Sequence, residues 1–217
     1  MSSLPDESFV RARTSLISLE DGTRVKIRPV VPEDKQRFLD GFARLSPSSR
    51  YRRFLTPIEE LTPEMLRTFT EVDYTDHFAY VALLVDEPDE PGIGVARYVR
   101  SPDDPEAAEA AVTVVDQYQG RGLGTLLLEA LGAVALEHGI RRFSGVAMEG
   151  NTPIRDLLAG VGAEVRYDSP GLVRVEIDLP RTDERLVSSP LYEVFRAVAR
   201  GDGPVFLPPG GEATRGT

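Results

Sequence analysis

The 217 residues contain no cysteine and no tryptophan. Without a thiol there is no disulfide, no cysteine-based zinc site and no cysteine nucleophile. Histidine is nearly as scarce. His77 and His138 are the only two, too few for a histidine-rich metal centre, and no metal is expected. Basic residues are outnumbered by acidic ones, 25 to 35, which leaves a net charge of −10. That balance argues against nucleic-acid binding, which needs a basic face. It does not forbid a small anionic ligand, but local donors must then hold it against the overall field. Long apolar runs are also missing. "FAYVALLV" (residues 78–85) has the length of a strand and cannot span a bilayer. The start, "MSSLPDESFVRARTSL", lacks the apolar segment of a signal peptide. The expectation is a cytoplasmic protein with no membrane association.

What is present has the pattern of one domain with extensions. Residues 1–14 are polar and expected to be flexible. An Asp21-Gly22 turn joins Ser15–Leu19 to a strand at Thr23–Val30. Helical spacing follows in "VPEDKQRFLDGFARL", then a short helix in "SPSSRYRRFL", then "LTPEMLRTFTEV" with Thr62 as cap and Pro63 in the first turn. Three strands come next, at His77–Asp86, Ile93–Arg100 and Glu109–Asp116. A helix over Gly122–His138 is closed by Gly139. A strand at Arg142–Met148, a short helix at Thr152–Val161 and two final strands complete the order. This mixture predicts an α/β (α+β) fold, helices around one sheet, over residues 15–180. Residues 181–217 form an extension. Leu191, Val194, Phe195 and Val198 make an apolar stripe on one more helix, and a Gly/Pro-rich tail reads as irregular.

The stretch "DQYQGRGLGTLLLEAL" carries the chemistry. A strand ends, three glycines follow in five positions, and a helix begins. The first amides of a helix have no partner within it, carry partial positive charge and point outward together. Glycines let the chain bend there and let a phosphate come close. Gly120, Gly122 and Gly124 fill that role, with Arg121 available as a cation. The lysine of a P-loop is absent, and Thr125 stands where a dinucleotide fingerprint needs its third glycine.

"QGRGLG" fits [QR]-x-x-G-x-[GA] through Gln119, Gly122 and Gly124. In this setting it resembles the coenzyme A site of the GNAT superfamily of N-acyltransferases. "NTPIRDLLAGVGAEV" is similar to the later segment of that superfamily, through Asn151, Leu157 and Gly162. The element order, a mixed and mostly antiparallel twisted sheet flanked by helices, is also the GNAT order. Within it, "LSPSSRYRRFL", "GVARYVR" and "AAEAAVTVVDQYQGRGLGTLLLEAL" resemble bacterial protein-lysine acetyltransferases.

The resemblance implies acetyl-CoA as co-substrate and direct transfer to an amine, a protein lysine or a small amine. It sets the pantetheine arm beside the strand end at Val114, Val115 and Asp116. It sets the pyrophosphate on amides from Gly120 through Arg121, Gly122, Leu123 and Gly124 to Thr125, after Gln119, with Asn151 as a further contact. Glu109 matches the glutamate base of the lysine-acetylating branch, seven residues before Asp116. On an alternating strand it shares a face with Ala111, Thr113 and Val115, and a half-buried carboxylate suits proton abstraction near neutral pH. Tyr51 and Phe54 lie in the region that shapes the acceptor pocket. Many GNAT enzymes have a tyrosine seven residues after the asparagine as general acid; here Leu158 stands there. His77 reads as structural, and His138 as a cation on a helix C-terminus. A non-catalytic acyl-CoA-binding sensor remains the alternative, and monomer and homodimer both remain open.

Overall fold

The computed structural model describes residues 6–160, 162–179, 192–202, 205–206 and 214–215. Helix α1 (Glu7–Ala12) opens the chain, capped by Asp6, whose carboxylate accepts from Phe9 N at 2.7 Å. Part of the N-terminal segment, Glu7–Ala12, is thus helical. Phe9 packs edge-on against Tyr74, ring centroids 5.2 Å apart, an anchor that polar composition alone hides.

Strands β1 (Ser15–Ser18) and β2 (Arg24–Pro29) form the expected hairpin. Their alternation turns Ile17, Val25 and Ile27 into the core. Helices α2 (Lys35–Ala43), α3 (Pro47–Phe54) and α4 (Pro63–Thr70) follow, the last two capped by Ser46 and Thr62 with proline in the first turn. Strands β3 (His77–Leu84), β4 (Gly92–Arg100) and β5 (Ala107–Val114) then build the centre of the sheet. β3 is buried along almost its whole length, so both its faces are covered.

Helix α5 (Leu123–Glu137) is apolar nearly all round, as befits a helix with no solvent face. One side lies on β3, β4 and β5, and the other is covered by α7 (Tyr192–Ala199). Phe195 and Val198 of α7 are buried, so the helix of the C-terminal extension packs on its own chain; Leu191 of the expected stripe lies outside the described residues. Between them come β6 (Arg142–Met148), α6 (Thr152–Gly160), β7 (Glu164–Ser169) and β8 (Leu172–Asp178). The tail read as irregular contributes β9 (Val205–Phe206) and β10 (Thr214–Arg215), because β1 has an open edge for them to pair with.

The strand order is β10-β9-β1-β2-β3-β4-β5-β6-β8-β7. Pairing is antiparallel except for β1 with β9 and β5 with β6. The β5–β6 pairing covers three residue pairs, Ala107 to Glu109 against Arg142 to Ser144, and then stops. β6 runs on beside β8, and β5 stays with β4. Gly145 marks the parting, since a Cβ there would stand 3.2 Å from the Ala110 carbonyl oxygen. The two strands therefore diverge and leave a wedge in mid-sheet.

Candidate active site

The three glycines have two different reasons. Gly120 and Gly122 have φ of 71° and 79°, in the left-handed region where a side chain is strained. Gly124 has an ordinary backbone, but a Cβ on it would stand 3.1 Å from Leu157 Cδ1 of α6. Gly122 is the N-cap of α5, and no side chain caps the helix. The first amides of α5 are thus left for a ligand, with the positive end of the helix dipole behind them.

They open into a cleft of about 630 Å³ between the end of β5, α3 and α6. Its walls are Val112, Thr113 and Val114 of β5, Gln119, Gly120, Gly122, Gly124 and Thr125 of the turn, Asn151, Ile154 and Leu157 beside α6, and Ser49, Arg52 and Arg53 of α3. A second cavity of about 300 Å³ adjoins it and holds Glu109, Ser144 and Leu158. Arg52, Arg53, Val112, Asn151, Ile154 and Leu157 line both. The donor set of the cleft, helix amides and two guanidinium groups, suits a phosphorylated ligand with a long arm.

The model of the acetyltransferase (GNAT) domain family matches residues 24–164. The chain belongs to the GNAT acetyltransferases. It is 37% identical to an acetyltransferase of Pseudomonas aeruginosa over 145 residues, 67% of this chain and 77% of that one. It is 34% identical to the acetyltransferase Pat of Mycolicibacterium smegmatis over 184 residues, 85% of this chain and 54% of Pat, so it spans about half of Pat's length. Among solved structures, the GNAT domain of S. lividans PAT superposes with a TM-score of 0.71 at 30% identity, covering 77% of this chain and 97% of that one. GNAT acetyltransferases draw the acetyl group from acetyl-CoA, which is this enzyme's acyl donor. No helix among the described residues is long and apolar enough to cross a membrane.

The GNAT residues expected at the site fall into two groups. Val114, Gln119, Gly120, Gly122, Gly124, Thr125 and Asn151 line the cleft. Val115, Asp116, Arg121 and Leu123 do not. Val115 is buried on the opposite face, beside an aromatic cavity formed with Phe38, Phe42, Phe54 and Phe69. Leu123 is core. Arg121 is drawn away by Asp21, 2.6 Å distant, and lies over the Tyr118 ring. Asp116 accepts from Ser46 N, Ser46 Oγ and Ser49 Oγ at 2.8–2.9 Å, which pins α3 to the turn. Burial pushes its carboxyl up, but these donors more than reverse that, and it stays below the usual carboxylate range. Gln119 donates to Val114 O at 2.9 Å and holds the turn against the strand end.

Glu109 lines the smaller cavity. Its side chain is exposed, not half-buried as the strand pattern suggested, because it stands at the last paired position before the strands part. Phe54 lines this cavity and the aromatic one. Tyr51 is 41% exposed and lines none of the three, since it sits on the outer face of α3. Leu158 is buried in the wall.

Both histidines are held towards the neutral form. Burial and then Arg97 bring His77 down to about 4. Burial, Arg13 and Arg100 lower His138, whose Nδ1 lies 2.6 Å from the Tyr98 hydroxyl. The cationic helix cap expected of His138 is corrected accordingly.

Arg53, Ser49, Thr113 and Ile154 escaped the sequence reading. One signal was there for the first two. Ser49 and Arg53 lie four apart and share a helix face, but which way that face points is fixed only by the docking on Asp116.

Proposed function

We propose that the cleft binds acetyl-CoA, with its pyrophosphate on the turn Gly120–Thr125 and its pantetheine arm along β5, and that Glu109 is the general base for transfer to a lysine side chain. One observation carries the reading. Glu109 lies where β5 and β6 part, in a cavity that shares six wall residues with the cleft, so an amine entering there meets an acyl donor entering from the turn. When bound, acetyl-CoA supplies the activated acetyl group. Glu109 takes a proton from the ammonium, and the freed amine attacks the acetyl carbon. The exposure of Glu109 suits an acceptor that arrives from solvent. The lysine is favoured by the likeness of "LSPSSRYRRFL" and "AAEAAVTVVDQYQGRGLG" to bacterial protein-lysine acetyltransferases.

Glu109→Gln tests it. Calorimetric affinity for acetyl-CoA should stay within about twofold of the wild type, while CoA release with lysine peptides falls by about 10²–10⁴-fold. Binding without turnover on any peptide or small amine would favour a non-catalytic acyl-CoA sensor. Absence of binding would overturn the reading of the cleft.

A further inference from the structure

Acyl transfer leaves two cations of the site, Arg52 and Arg53, without a stated part, and only Arg53 also reaches the aromatic cavity. Arg53, near the end of α3, lines the cleft, the Glu109 cavity and the aromatic cavity at once. Neighbouring arginines serve the fold. Arg50 donates to the carbonyls of Leu45, Glu59 and Ala43. Arg97, against the Phe69 ring, donates to the Phe69 and Thr68 carbonyls at the C-terminal end of α4, where a cation is favoured. No hydrogen bond or ion pair among the described residues holds the Arg53 guanidinium. It has the Phe54 ring 5.2 Å away. Burial works against its charge and the Glu109 carboxylate works for it, with burial the stronger. A half-buried guanidinium without an ion-pair partner is costly to keep. Nor is its placement accidental. Ser49, one turn earlier on the same face, is tied to Asp116 at 2.8 Å, so the helix turn carrying Arg53 is fastened to the start of α5.

The reaction has a charge that needs such a group. Glu109 passes the ammonium proton on to solvent; then, as the N–C bond forms and the C–S bond breaks, the second proton leaves nitrogen for Glu109 and the C–S bonding pair leaves on sulfur as a thiolate. Among the described residues no tyrosine, histidine, lysine or cysteine lines either cavity to donate a proton near neutral pH, and Leu158 is part of the wall. Among the described residues, the charged side chains lining the two cavities are Arg52, Arg53 and Glu109. A fixed positive charge can meet the thiolate without donating.

We propose that Arg53 is the catalytic cation that holds the departing thiolate in place of a proton donor, the sulfur taking its proton afterwards from solvent. This rests on the cleft being the acetyl-CoA site.

The test is the ionisation of the CoA thiol when bound, read from thiolate ultraviolet absorbance in complexes with wild type, Arg53→Gln and Arg53→Lys. In the wild type the thiol should titrate about one to two pH units below the value read for free CoA in the same buffer. Arg53→Gln should return it to the free value, and Arg53→Lys should stand between. Desulfo-CoA should bind all three alike. In turnover, Arg53→Gln should lose about 10²–10³-fold in kcat. Bound CoA whose thiol titrates identically in wild type and Arg53→Gln overturns the role of Arg53 and leaves the cleft reading intact. Should Arg53→Gln not fold, the wild type decides alone: a bound thiol at its free value overturns the proposal. Failure of CoA to bind the wild type overturns the cleft reading itself.

Discussion

The Ser49 hydroxyl donates to the Asp116 carboxylate across 2.8 Å, and this bond joins the helix over the acceptor side to the turn that opens α5. Ser46 adds two more donors to the same carboxylate. Asp116 thus fastens α3 to the turn that leads into α5.

Loosening that fastening should cost both stability and turnover. Hydrogen bonds to a charged group contribute about 1.5–3 kcal/mol, so Asp116→Asn should lower unfolding free energy by about 2 kcal/mol in urea titrations. Ser49→Ala should lower it by somewhat less, and the double variant should fall short of the sum. The depressed Asp116 carboxyl sets the pH dependence. Its contribution is fully present above the unfolded aspartate value of about 3.9 and is lost as pH falls through the lower folded value. The stability gap between wild type and Asp116→Asn should therefore be constant from pH 7 to about pH 5 and close below about pH 4. A gap that widens in acid would contradict the assignment.

The glycines of the turn should separate in their effects. Gly122→Ala meets no neighbour within 4 Å but keeps a φ of 79°, so it should fold with a loss of about 1–2 kcal/mol. Gly124→Val carries no such strain. It presses on Leu157 and fills the cleft, so acetyl-CoA affinity should fall at least about tenfold, or 1.4 kcal/mol. Melting curves and calorimetry on both variants distinguish these outcomes; equal loss of affinity and stability in the two would not fit.

His77 gives a second, higher acid transition. Burial and Arg97 bring its folded value to about 4, against about 6.5 in an unfolded chain. The unfolded state therefore binds the proton first, and stability is lost as pH falls from about 6.5 to 4. The loss is at most about 3 kcal/mol by linkage and smaller with solvent screening. His77→Gln should remove this slope from pH-dependent denaturation while leaving acetyl-CoA affinity unchanged.

What could be read from the sequence was what local chemistry dictates. Gly120 and Gly122 announce a turn because their backbone admits little else, and Thr62-Pro63 announces a helix start for a similar reason. Residues whose meaning depends on a distant partner stayed hidden. Arg121 reads as a ligand cation until Asp21, from the β1–β2 turn, is found beside it. Phe9 reads as part of a polar leader until Tyr74 packs on it. Arg53 and Tyr51 lie two apart on one short helix, and only the docking of α3 decides which faces the cleft and which the solvent. The exposure of Glu109 was hidden too, since it follows from where β6 leaves β5 and not from the alternation of β5 itself.

That departure gives the sheet an edge in its interior. Beyond Glu109, β5 has a neighbour on one side only, and its outward main-chain groups are offered to a guest with amides of its own, much as a sheet rim accepts an added strand. Recognition of this kind is indifferent to side chains. Ala110, Ala111, Val112 and Val114 can each exchange for another small apolar residue without changing what the guest meets, so long as the backbone keeps its path. The identity of the ligand is thus held in the course of the chain more than in its letters.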